Sequence, residues 1–157
     1  MKLYTGSDHA GFALRAVIVR HLRAAGHEVV DVGAPSEAST DYPDWAAAVG
    51  RAVRADAGAA GVLVCGSGLG VCIAANKLRG IRAADAWSVE TARLARAHND
   101  VNVLCLGARL LTERDALQIL DVWLATPFEG GGRHTARLAK IAALEAQEQA
   151  MIAQEAK

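Results

Sequence analysis

Aromatic side chains make up only 4% of this 157-residue chain, which also holds only three cysteines and three prolines. A nucleic-acid surface normally interleaves aromatics with a basic block, and neither is present. The formal net charge is zero, from 17 basic and 17 acidic residues. No apolar run approaches the roughly 20 residues that a membrane span needs, and the N-terminus shows no signal-peptide pattern. A soluble, cytoplasmic protein with no nucleic-acid or membrane partner is therefore expected. Cys65, Cys72 and Cys105 are odd in number and show no Cys-x-x-Cys spacing, so neither a disulfide framework nor a zinc site is supported. The chain is rich instead in alanine and valine, and it is long enough for one domain with helices packed closely on a sheet.

The organising stretch is Val62-Leu63-Val64-Cys65-Gly66-Ser67-Gly68-Leu69-Gly70, continuing to Lys77. Branched apolar residues end in a thiol, a glycine-rich turn follows, and small residues then read as a helix. Gly66, Gly68 and Gly70 leave backbone N–H groups uncovered, and the helix starting near Leu69 directs its positive end to the same place. Such a place suits an anion or a developing oxyanion, with Cys65 at its lip as a base or nucleophile. The spacing is not that of a dinucleotide loop, a Walker loop or a nucleophile elbow. A glycine turn is also ordinary punctuation, and a buried cysteine is often only a small hydrophobe.

Strands and helices alternate along the chain. Strands are predicted at Lys2–Thr5, Glu28–Val32, Gly61–Cys65, Ile81–Ala86 and Asn102–Leu106. The third strand's helix should last to about Leu78, and a last helix should start at Arg133. The pattern predicts a single-domain α/β fold of three layers, a doubly wound (Rossmann-like) five-stranded parallel sheet with right-handed crossovers. Residues 1–145 form the domain in this reading, and residues 146–157 a frayed helical tail. Function in such sheets lies beyond the carboxyl ends of the strands. Asp8 and His9 follow strand one, the Cys65–Gly70 loop follows strand three and Arg109 follows strand five, so these can converge. His98 ends a helix, where a cation is favoured by the dipole regardless of catalysis. Arg133 and Arg137 lie one helical turn apart beside a glycine joint, a spacing that suits a phosphate, although surface arginines are more often merely solvated.

Taken together, Ser7-Asp8-His9-Ala10-Gly11-Phe12, Asp41-Tyr42-Pro43, Cys65-Gly66-Ser67-Gly68-Leu69-Gly70, Ala74-Ala75-Asn76-Lys77, Gly80-Ile81-Arg82-Ala83, His98-Asn99-Asp100 and Gly131-Gly132-Arg133-His134 resemble the ribose-5-phosphate isomerase B family, which includes galactose-6-phosphate isomerase subunits. The resemblance covers roughly residues 1–145. It implies aldose-ketose isomerisation of a phosphorylated sugar through a cis-enediolate, without metal or organic cofactor. Carried over, Cys65 is the base between C1 and C2, Ser67 hands protons to the sugar oxygens, and His98 opens the ring. Asp8 assists or orients the substrate and Asn99 binds its oxygens. The loop of Gly66, Gly68, Leu69 and Gly70 holds the developing charge, while His9, Arg109, Arg133 and Arg137 cradle the phosphate.

The resemblance further implies a homodimer or dimer of dimers with a shared active site, the last helix packing on the partner subunit. The glycine run before Arg133 is one residue longer than the family's usual one. Ribose 5-phosphate is the expected substrate. A tetrulose 4-phosphate, allose 6-phosphate or galactose 6-phosphate, a non-catalytic phosphosugar binder, and a thiol redox sensor using Cys65 and Cys72 are the alternatives.

Overall fold

The computed structural model describes residues 1–155. Its elements run β1 (Lys2–Ser7), α1 (Phe12–Ala24), β2 (Glu28–Asp31), α2 (Tyr42–Ala55), β3 (Ala60–Cys65) and α3 (Leu69–Ala75). They continue with β4 (Ala83–Asp85), α4 (Val89–Asn99), β5 (Val103–Gly107), α5 (Glu113–Ala125) and α6 (Gly132–Glu155). All strand pairings are parallel and the order is β2-β1-β3-β5-β4. The expected three-layer, doubly wound sheet is thus what forms.

The central strands show why the sheet is covered on both faces. Successive side chains alternate, so Val62 and Val64 with Leu104 and Leu106 face one layer, while Leu63 and Cys65 with Val103 and Cys105 face the other. The first layer is closed by Leu14, Ile18 and Leu22 of α1, Ala92 of α4 and Ile119, Leu120 and Trp123 of α5. The second is closed by Ala46, Val49 and Val53 of α2 and Val71 and Ala75 of α3. Near-continuous apolar runs in β3 and β5 are what two covered faces require.

Two elements are shorter than their sequence pattern predicts, for one shared reason. α3 stops at Ala75 rather than Leu78, and β4 begins at Ala83 rather than Ile81. Asn76 turns its side-chain amide onto the edge strand, donating to the Ala83 carbonyl at 2.9 Å and accepting from its N–H at 2.9 Å. Asn102 does the same for the preceding segment, accepting from Arg82 N–H at 2.8 Å and donating to Gly80 O at 2.9 Å. The Asn76 amide thus stands in for a neighbouring strand and blunts this edge against further pairing, while Asn102, just before β5, holds the approach to β4 from the β5 side. The last helix buries no residue, and Ile141, Leu144 and Ile152 stay exposed. It runs unbroken through the expected tail to Glu155, and residues 156–157 lie outside the described residues.

Candidate functional site

The five strands end at a common edge, and three loops meet there. Cys65 is the last residue of β3, paired in register with Gly107 of β5. Its sulfur is buried and accepts a hydrogen bond from the Gly68 N–H at 3.2 Å. Gly68 makes this bond possible, because its φ of 81° turns the chain back over the thiol before α3 starts. Beyond it, the N–H groups of Leu69, Gly70 and Val71 have no backbone acceptor among the described residues, as the first turn of a helix leaves them. Donors clustered beside a thiol can hold an oxygen that becomes negative while the sulfur moves a proton.

The loop after β5 is zipped onto the thiol loop by Ala108 N–H to Cys65 O and Arg109 N–H to Gly66 O, both 2.9 Å. This lays the Arg109 guanidinium against Gly66. From the other side comes the β1–α1 loop, where buried Asp8 accepts from Gly11 N–H at 3.1 Å. His9 Nδ1 lies 3.3 Å from both Thr40 O and Thr40 N, so the tautomer decides which of the two it pairs with.

Sequence reasoning missed the residue that anchors this last loop. Arg15 is 4% exposed, donates to Ser7 Oγ at 2.8 Å and Ala34 O at 2.6 Å, and its Nε lies 3.1 Å from Asp31 Oδ1. The Nε contact is an ion pair in distance without hydrogen-bond alignment. Burial pulls the guanidinium below its ordinary range and the Asp31 charge opposes this. Removing it leaves two buried acceptors, Ser7 Oγ and Ala34 O, without their donor and takes the ion-pair partner from exposed Asp31, which keeps Thr5 and Gly33 as donors. Arg15→Met should therefore cost about 3 kcal/mol, read as a lower urea midpoint with unchanged slope.

A second missed residue is Asp85, at the end of β4. Its carboxyl packs directly on the Cα of Gly68 and lines a recess of about 240 Å³ with Ser67, Leu69, Trp87 and Leu110. Burial pushes it up to about 6 from an ordinary 3.8. A raised folded-state value means that the folded protein binds an extra proton between those limits, so stability falls as pH rises through them and the full cost applies above pH 6. Asp85→Asn should raise stability by about 1–2 kcal/mol near neutral pH and change it little at the acid end of that window, checked by thermal unfolding at both. A carboxylate at a strand's carboxyl end was the available signal, but the Ala-Ala-Asp-Ala run gave no reason to single it out.

The remaining predicted residues lie at the opposite edge. α4 starts beyond β4 and runs back about 16 Å, so that His98 and Asn99 reach the edge where β5 begins. Asp100 ends α4 at φ 44° and binds Arg82 at 2.8 Å and Arg96 at 3.0 Å, fixing the turn that carries them. α5 also runs back to this edge, and Glu129 N–H donates to Ala97 O at 2.8 Å. There His98 stacks on His134, with ring centroids 4.3 Å apart, and lies 3.8 Å from Glu129. Burial, then the His98, Arg133 and Arg137 charges, push the His134 imidazole below its usual range. Arg133 and Arg137 are both exposed on the first turns of α6, and Asn99 is exposed beside them.

The predicted residues therefore fall into two groups rather than one. Asp8, His9, Cys65, Gly66, Ser67, Gly68, Leu69, Gly70 and Arg109 share the carboxyl edge, and His98, Asn99, Arg133 and Arg137 share the other. Cys72 directs its thiol to Ala83 O at 3.5 Å and pairs with the buried Cys105 thiol, not with Cys65. Among the described residues, no helix is long and apolar enough to cross a membrane.

The Ribose/Galactose Isomerase family model matches residues 3–141. Ribose-5-phosphate isomerase B of Escherichia coli K12 is 45% identical over 144 residues, covering 92% of this chain and 96% of that protein. The enzyme of Mycolicibacterium paratuberculosis is 44% identical over 151 residues, 96% of this chain and 95% of its own. Among solved structures, Clostridium thermocellum ribose-5-phosphate isomerase B superposes with a TM-score of 0.90 at 44% identity, covering 94% of this chain and 99% of that one. The Mycoplasma genitalium enzyme with bound ribulose 5-phosphate gives 0.89 at 42% identity, covering 92% and 96%. By motif order, fold and extent of match, the chain belongs to the ribose/galactose isomerase family.

Proposed function

We propose that this protein interconverts D-ribose 5-phosphate and D-ribulose 5-phosphate, and that it does so only as a homodimer or dimer of dimers whose active sites each draw on two subunits. The observation that carries the second part is the separation of Cys65 from His98 by the length of α4. A single copy offers a base without the ring-opening imidazole, and a phosphate cradle split between two edges. A second copy, bringing its His98 edge to the first copy's Cys65 loop, completes the set. The exposed apolar residues of α6 supply a surface for such a partner.

In the assembled site the His98 imidazole takes the anomeric hydroxyl proton and returns one to the ring oxygen, opening the furanose. The Cys65 thiolate removes the C2 proton, electron density moves to the C1 oxygen, and the loop amides hold the resulting enediolate. Ser67 passes a proton between O2 and O1, and Cys65 returns its proton to C1. Asp8 and Asn99 orient the open chain, while His9, Arg109, Arg133 and Arg137 bind the phosphate. The names of the relatives support ribose 5-phosphate over longer sugars.

The test is kcat/KM on ribose 5-phosphate, allose 6-phosphate, galactose 6-phosphate and a tetrulose 4-phosphate. Ribose 5-phosphate should lead. A different winner would keep the chemistry and move the explanation to the extra glycine before Arg133, and no turnover on any sugar would leave a phosphosugar binder.

A further inference from the structure

Asp85 is a carboxyl that the fold keeps at a cost, and it stands beside the one thiol the chemistry needs. Its oxygen packs on Gly68, where any Cβ would collide with it. The N–H of that same Gly68 donates to the Cys65 sulfur. Bond lengths then put the carboxyl oxygen within about 8 Å of the sulfur, in a partly buried recess where salt screens less than at an open surface. The titratable and charged groups around the pair are Cys105 of β5, Cys72 of α3, Tyr42 of α2 packed on Gly70, Arg109 packed on Gly66, and Asp8 and His9 of the loop after β1, whose strand pairs with β3 up to Ser7 and Val64. Of these, Cys105 is buried and neutral, and Cys72 faces Cys105 and Ala83. Asp8 flanks the sulfur from the β1 side with its carboxylate tied to the Gly11 N–H, whereas Asp85 lies beneath the loop against Gly68, the residue whose N–H bonds the sulfur.

We propose that Asp85 is a positioning residue that sets the charge of the Cys65 loop: its carboxylate opposes the Cys65 thiolate, and its neutral form releases that opposition. Like charges at this separation disfavour each other's ionised form, and the effect is stronger in a partly buried site than in water. Burial leaves Asp85 close to half ionised near pH 6, so around neutrality it is mostly a carboxylate and the restraint is on. The inference rests on the reading of Cys65 as the base, and its test separates the two.

Wild type and Asp85→Asn, as full chains, are alkylated with iodoacetamide from about pH 5 to pH 10, and modification is followed by mass spectrometry on the peptide bearing Cys65, apart from those bearing Cys72 and Cys105. The midpoint for Cys65 in Asp85→Asn should fall by about half a pH unit or more, a roughly threefold faster reaction near neutrality. The rising limb of kcat/KM against pH should move by the same amount. Superimposable alkylation midpoints overturn the inference, since an asparagine keeps the shape and a mere packing role leaves the midpoint in place. A moved midpoint with an unmoved kcat/KM limb supports the charge coupling and removes Cys65 as the base. Should the asparagine variant fail to fold, Asp85→Val, suited to the strand and equally uncharged, must give the same displacement.

Discussion

Replacing Cys65 by alanine should lower kcat on ribose 5-phosphate by about 10²–10⁴-fold and leave KM nearly unchanged, the signature of a group used in proton transfer rather than in ground-state binding. The thiol is well placed for such a clean result. It is buried at the end of β3, and the backbone around it is held by the β3–β5 ladder and by Ala108 and Arg109, not by the sulfur. Alanine removes one heavy atom from a packed position, a loss of about 1 kcal/mol, so the fold should persist. The Gly68 N–H, buried beside the sulfur, loses its acceptor, a further cost of about 1–3 kcal/mol. Cys65→Ser is the sharper control: a hydroxyl preserves the hydrogen bond from Gly68 while offering a far weaker base at neutral pH. Both variants should therefore be similarly impaired. A serine variant retaining a tenth or more of wild-type turnover would show that the sulfur only shapes the loop.

Much of this arrangement was legible in the residues. The run Val62–Gly70 announced a buried strand, a tight turn and a helix start because each part has its own chemistry: branched side chains, glycines, then small residues. Asp8, Ser67 and Arg109 were placed at one edge by strand polarity alone. The edge strand was less legible, because the pairs that trim it come from Asn76 and Asn102, whose amides read as ordinary polar residues in a motif. Arg15 was hidden in an apolar helical stripe beside Leu14 and Ile18, where a charge is unexpected unless its partners are known. Those partners, Ser7, Asp31 and Ala34, lie as much as 19 residues away and meet it only in the folded chain.

The division of the site into two edges is the consequence with the most direct test. Helix polarity dictates it: α4 must return from the carboxyl edge before β5 can run parallel to β3, and His98 is on its last turn. If each active site takes Cys65 from one subunit and His98 from the other, two crippled chains should rescue each other. Cys65→Ala and His98→Asn are each purified, unfolded, mixed in equal amounts and refolded. Random pairing makes half of the dimers mixed, and a mixed dimer holds one site with both native groups and one with neither. Activity on ring-closed ribose 5-phosphate should then recover to about one quarter of wild type, from two components that are nearly inactive alone. Sites contained within one chain would give no recovery at any mixing ratio. The ratio itself is informative, since the recovered activity should peak at equal amounts and fall off symmetrically with the product of the two fractions. A tetramer built as a dimer of dimers gives the same one quarter, because only the pair sharing a site matters.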